Sequence, residues 1–124
     1  MIWFAIAIAG ALGASTRYLV DHLVSTRLSG VFPWGTFTIN VSGSFLAGLV
    51  TGLLLAGRVS AATATVVAGG FLGAYTTFST AMYETARLLE DGATRVAFGN
   101  LLLPLAASVA AAALGWGLAL VMAS

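Results

Sequence analysis

Four long apolar runs, roughly Ile2–Val20, Phe37–Ala56, Ala61–Met82 and Val96–Met122, are separated by short polar stretches. A helix needs about 20 apolar residues to cross the hydrocarbon of a bilayer. Each run is close to that length, so the pattern predicts an all-α integral membrane protein of four transmembrane helices. The stretches between the runs carry turn chemistry and charge. Ser25, Thr26, Arg27, Ser29 and Gly30 lead to Pro33, Gly57-Arg58 marks a second turn, and Arg87, Glu90, Asp91, Gly92 and Arg95 mark a third. None is long enough to fold separately, so residues 1–124 are read as one transmembrane domain whose function sits within the spans.

Small residues recur along the runs. Asn40, Ser44, Gly48 and Gly52 are spaced by four in the second, Gly10, Gly13 and Ala14 lie in the first, and Ser108, Ala112 and Gly115 lie in the fourth. Such spacing lets membrane helices approach closely. One four-helix bundle is too small to enclose a generous aqueous path, so these faces also suggest an oligomer.

The third run is unusual. Gly69-Gly70-Phe71-Leu72-Gly73-Ala74-Tyr75 leads into Thr76-Thr77-Phe78-Ser79-Thr80. Each glycine weakens a helix by roughly 1 kcal/mol against alanine, and Thr76, Thr77, Ser79 and Thr80 bring four hydroxyls to bilayer depth. The segment is expected to break near Gly73–Thr76. Irregular backbone at that depth is tolerated only where protein buries it or it lines a cavity. Freed carbonyls there can hold a cation, and freed N–H groups and hydroxyls can donate to an anion.

Composition narrows the function classes. The chain is 60% hydrophobic and 7% charged, too little charge to cover a water-soluble surface. A net charge of +1 argues against nucleic acid as a partner. There is no Cys and His22 is the only His, so neither disulfides nor a zinc cluster can be built. No carboxylate pair, activated nucleophile or phosphate loop points to an enzyme. No Lys or Arg precedes the first run, which makes a poor signal peptide, and that segment is expected to be retained. Arg27, Arg87 and Arg95 fall on one side of the membrane and Arg58 on the other. Cytoplasmic loops carry the excess of basic residues. Three against one fits either a single orientation or insertion both ways.

Three further polar groups lie at membrane depth. Arg17 has two readings, a pair with Asp21 one turn on or a positive vestibule that attracts an anion. Glu84 follows the stripe Thr76, Thr80, Glu84 and is expected near the interface, paired with Arg87 or Arg17, either as a functional carboxylate near membrane depth or as a snorkelling interfacial group. Asn40 offers two donors and one acceptor, which suits either helix packing or an anion path.

Taken in order, Gly10 to Thr16-Arg17-Tyr18, Pro33-Trp34-Gly35-Thr36, Asn40 with Gly43-Ser44-Phe45, and Gly70-Phe71-Leu72-Gly73 before Thr76-Thr77-Phe78-Ser79-Thr80 resemble the Fluc/CrcB fluoride channel family over nearly the whole chain. The resemblance implies a dual-topology dimer of antiparallel subunits in the plasma (cytoplasmic) membrane, exporting fluoride to relieve its toxicity. It implies two fluoride pores per dimer and a central structural sodium ion (Na+) held by the backbone carbonyls of Gly73 and Thr76. The matching pore donor is Asn40 and the matching pore aromatic is Phe78, with the hydroxyls of Thr77, Ser79, Thr80 and Ser108 along the path and Arg17 and Glu84 as vestibule or structural charges. Two positions depart from the pattern. Ala81 stands where many members have a second Phe, and Pro104 precedes Ser108 where a Tyr is common. These departures allow a related subunit, rather than an identical chain, as the dimer partner.

The alternative is a small four-helix, dual-topology multidrug/proton exchanger. It would want a carboxylate in its first span, and this chain has Arg17 there instead.

Overall fold

The computed structural model describes all 124 residues, Met1 to Ser124. It is all-helical. Three helices are long and apolar enough to cross a membrane: α1 (Ile2–Arg27), α2 (Trp34–Leu55) and the last helix (Thr94–Ala123). Between α2 and that last helix the third run is split. It forms α3 (Ala61–Ala64), a π-helical stretch over Thr65–Leu72, α4 (Gly73–Tyr75) and α5 (Ser79–Glu90), and Thr94–Ala123 is α6. The third run, Ala61–Met82, is thus interrupted, as its glycine and hydroxyl content predicts, and forms short pieces with an opening in the middle.

Helix ends follow local chemistry more than hydropathy. Pro33 directly precedes α2, where its missing N–H costs nothing. Ser60 caps α3 by accepting from the Thr63 N–H at 3.1 Å. Gly57 and Gly92 turn the chain at φ 69° and 77°, a conformation that suits glycine after a helix. α1 runs on past Val20 to Arg27 because Asp21, His22, Ser25 and Thr26 continue the helix as a polar extension. Apolar length marks where the bilayer ends, not where the helix must. α6 carries Pro104 without interruption, as membrane helices tolerate when neighbouring groups satisfy the freed backbone.

Small residues do the packing. A Cβ on Gly48 would overlap the carbonyl of Ala112, and one on Gly115 would overlap the carbonyl of Phe45, so α2 and α6 meet backbone to backbone. A Cβ on Gly52 would press on Ala119, and one on Gly13 would overlap the Phe71 carbonyl, which seats α1 on the π-helical stretch. The buried apolar core is small, Ile39, Leu72 and Tyr75. Large side chains such as Leu102, Val109, Leu114 and Val121 of α6 point outward. In lipid there is no hydrophobic drive to bury them, and close backbone packing takes over. Phe32, Trp34 and Phe37 cluster at the start of α2, with ring centroids 4.6 to 5.8 Å apart. That is the aromatic anchoring expected at a membrane interface.

Candidate functional site

The chain opens at Thr76, Thr77 and Phe78, between α4 and α5. Thr76 is extended, with φ −79° and ψ 159°. This is the end of the Gly73–Thr76 stretch where the break was expected, and Gly73 itself is still helical at φ −60° and ψ −33°. The glycines act upstream, where the backbone loosens into the π-helical stretch. The position of the opening is set by α2. The Asn40 amide donates from Nδ2 to the Thr77 carbonyl at 2.8 Å, and its Oδ1 accepts the Thr77 N–H at 2.9 Å. That N–H would otherwise have closed a helical turn on the Gly73 carbonyl. The Thr76 N–H still reaches the Leu72 carbonyl at 3.0 Å, so the helix lasts to Tyr75 and stops there.

The hydroxyls divide into two groups. Thr76 Oγ1 bonds back to the Leu72 carbonyl at 2.9 Å and is internal to its own helix. Thr77 Oγ1 accepts the Thr80 N–H at 3.2 Å, capping the start of α5, and donates to Thr80 Oγ1 at 3.0 Å. Tyr75 is buried, and its hydroxyl lies 2.8 Å from Ser42 Oγ, which itself donates to the Thr38 carbonyl at 2.6 Å. This ties α4 to α2 just before the opening.

A cleft of about 680 Å³ runs along this side of the molecule. Its walls bring together Asn40, Gly73, Thr76, Thr77, Phe78 and Ser108 among the expected site residues, with Ser44, Ala81 and Asn100 beside them. Ser79 and Thr80 are exposed at the start of α5 and stand outside the walls. Phe78 is 78% exposed, with its ring standing clear of its own chain.

The two charges behave differently from either simple pairing. Arg17 does not close on Asp21. Its Nη1 reaches the Thr76 carbonyl at 3.4 Å, across from α1 to the opening, while Asp21 accepts from Ser25 Oγ at 3.3 Å. Glu84 pairs with neither Arg87 nor Arg17. Its Oε1 accepts from Thr36 Oγ1 at 2.8 Å, and its Oε2 is buried without a partner. Thr36 is itself buried at the start of α2, so a neutral hydroxyl is closer to the carboxylate than any arginine.

For a cation, the donor set is carbonyl oxygen. The Gly73 carbonyl has lost its helical N–H to Asn40, and Gly73 and Thr76 both line the cleft. Such oxygens fit a hard, low-charge ion. The Thr76 carbonyl also receives Arg17, and a carbonyl has two lone pairs.

Asn100 was not among the residues singled out from sequence. It is 2% exposed and donates from Nδ2 to the Ala81 carbonyl at 3.2 Å and to Thr85 Oγ1 at 2.9 Å. The available signal was a lone amide inside an otherwise apolar run. Thr36 and Tyr75 had no comparable signal.

Comparison with known proteins gives a family match over residues 4–116, to the family described as CrcB-like protein, Camphor Resistance (CrcB). A protein of Frankia casuarinae named a fluoride-specific ion channel FluC is 47% identical over 124 residues, covering 96% of each chain. One of Symbiobacterium thermophilum with that name is 44% identical, covering 94% of this chain and 99% of its own. Another, of Streptomyces avermitilis, is 43% identical and covers 93% of both.

Proposed function

The chain belongs to the CrcB family, and from that premise we propose that this multi-pass membrane protein is a fluoride channel that lets fluoride leave the cell. The reading rests above all on the open backbone at Thr76–Phe78, held by Asn40 in the wall of a cleft at mid-chain depth. Fluoride is small and strongly hydrated, so a path that strips its water needs dense hydrogen-bond donation. Asn40 uses one of its two amide protons on the Thr77 carbonyl and keeps the other for an anion. The Phe78 ring offers a positive edge, and Ser108 offers a hydroxyl on the facing helix. Arg17 adds positive charge behind the opening, which favours an anion near by. Ser79 and Thr80 extend the hydroxyl surface where the path leaves the cleft, and Glu84 with Thr36 marks its outer end.

The working unit in this reading is an antiparallel, dual-topology dimer. The cleft is open on one side and Phe78 stands out from it. A second copy, or a closely related subunit, closes the path from the other side and receives the ring. A structural sodium ion on the dimer axis would be held by the Gly73 and Thr76 carbonyls of both subunits and would supply fixed positive charge between the paths. The exchanger reading is weaker because no carboxylate lines the cleft.

Fluoride efflux from liposomes containing the purified protein tests the proposal. Efflux that depends on the protein and exceeds chloride efflux supports it. Fluoride retention by vesicles shown to contain assembled protein would remove it.

A further inference from the structure

The start of α5 carries Ser79 and Thr80 and follows directly on Phe78, yet α5 is the least apolar of the longer helices and cannot be held by lipid-facing side chains alone. It leans chiefly on α6. From the α2 side it is held by the two hydrogen bonds between Asn40 and Thr77, just before α5, and by that between Thr36 and Glu84. From the α6 side it is held by Asn100. That amide is buried, sits on the cleft-lining face of α6, and donates to both the Ala81 carbonyl and Thr85 Oγ1, while Thr85 Oγ1 donates to the same Ala81 carbonyl at 2.8 Å. The three groups form one closed network one to two turns beyond Phe78.

We infer that Asn100 is a positioning residue of the ion path, fixing the start of α5 from the α6 side as Asn40 fixes it from the α2 side, so that Phe78 and the α5 hydroxyls keep one orientation to the cleft. Three observations carry this. A buried amide in a bilayer helix is costly unless satisfied, so its retention needs a partner worth keeping. Its partners belong to α5 and to no other element. And Ala81, whose carbonyl takes the bond, is only 6% exposed and packed into the wall. A small residue there leaves the α6 amide room to reach the α5 backbone. The inference rests on the reading of the cleft as a fluoride path.

The experiment is fluoride and chloride efflux from liposomes containing wild type, N100L, T85V or the double variant, with dimer content checked by size-exclusion chromatography before reconstitution. N100L is expected to lower fluoride efflux about ten-fold per assembled protein and to narrow the fluoride-to-chloride ratio, because the ring and hydroxyls are no longer held in register. T85V should move the same ratio in the same direction, and the double variant should be no worse than N100L, since both changes break one network. Wild-type efflux and selectivity in assembled N100L would overturn the inference, as would losses that simply add. If N100L does not assemble, the near-isosteric T85V decides, and an unchanged ratio there overturns it. Absence of fluoride efflux from the wild type would instead defeat the channel reading itself.

Discussion

Asn40 and Thr77 are joined by two hydrogen bonds that run in opposite directions, amide to carbonyl at 2.8 Å and backbone N–H to amide oxygen at 2.9 Å. One side chain of α2 thereby replaces both helical partners of one residue at the opening. An ionised carboxylate lacks the donor and a hydroxyl has only one atom for both roles, whereas the amide presents a donor and an acceptor side by side in one plane.

Asn40→Asp keeps the acceptor and loses the donor. It also places a negative charge where an anion must pass. Fluoride efflux is expected to be abolished with the dimer still assembled, read by liposome efflux alongside chromatography of the same sample. Efflux at the wild-type rate would take Asn40 out of the path and leave it only the clamp.

Close packing of α2 on α6 makes a sharp contrast among glycines. Gly48→Ala puts a Cβ into the Ala112 carbonyl, a backbone atom that cannot swing aside. A loss of about 1–3 kcal/mol is expected for such overpacking, seen as a lower melting temperature in detergent. Gly69→Ala meets nothing within 4 Å and should melt with the wild type. Equal behaviour of the two would show that the α2–α6 contact is looser than described.

Thr36 is the one hydroxyl that answers the Glu84 carboxylate. Thr36→Val removes it at constant shape and leaves both carboxylate oxygens without a partner. A destabilisation of about 1–3 kcal/mol follows from an unsatisfied buried group. Glu84→Gln removes the charge and should restore most of that stability in the Thr36→Val background. Thermal unfolding of the single and double variants checks this, and two additive losses would count against the pairing.

If the Gly73 and Thr76 carbonyls hold sodium, replacing it with a large organic cation should reduce both efflux and thermal stability. Because the ligands are backbone atoms, Thr76→Ser should be mild. Its hydroxyl faces the Leu72 carbonyl rather than the cleft, and serine can make the same bond. Indifference of both measurements to sodium would mean that no central ion is used.

Much of the site was legible one residue at a time. The hydroxyl run marked the opening, Asn40 marked a polar group at depth, and Ser108 marked the facing helix; all but Ser79 and Thr80 of the run meet at one cleft. What could not be read was direction. Arg17 has Asp21 one turn away in sequence, but its side chain reaches across to α4's end. Glu84 has Arg87 close in sequence and takes Thr36, 48 positions away, instead. Spacing along a helix lists the neighbours a side chain can reach, and helix packing chooses among them.

The sequence by itself determined the solvent, the number of apolar runs and the weak point of the third, because hydropathy, chain length and glycine content act locally and add along the chain. Tertiary structure decided where the helix opens and how its second half is held. Gly69, Gly70 and Gly73 only lower the cost of leaving the helix, and the chain leaves it at Thr76 because Asn40, 37 positions before Thr77, offers the Thr77 backbone both of its missing partners. On the other side, Asn100 of α6 donates to the Ala81 carbonyl and to Thr85 Oγ1 of α5. In a medium without water, an unpaired backbone group must find its partner on another helix, and only the packed fold says which one.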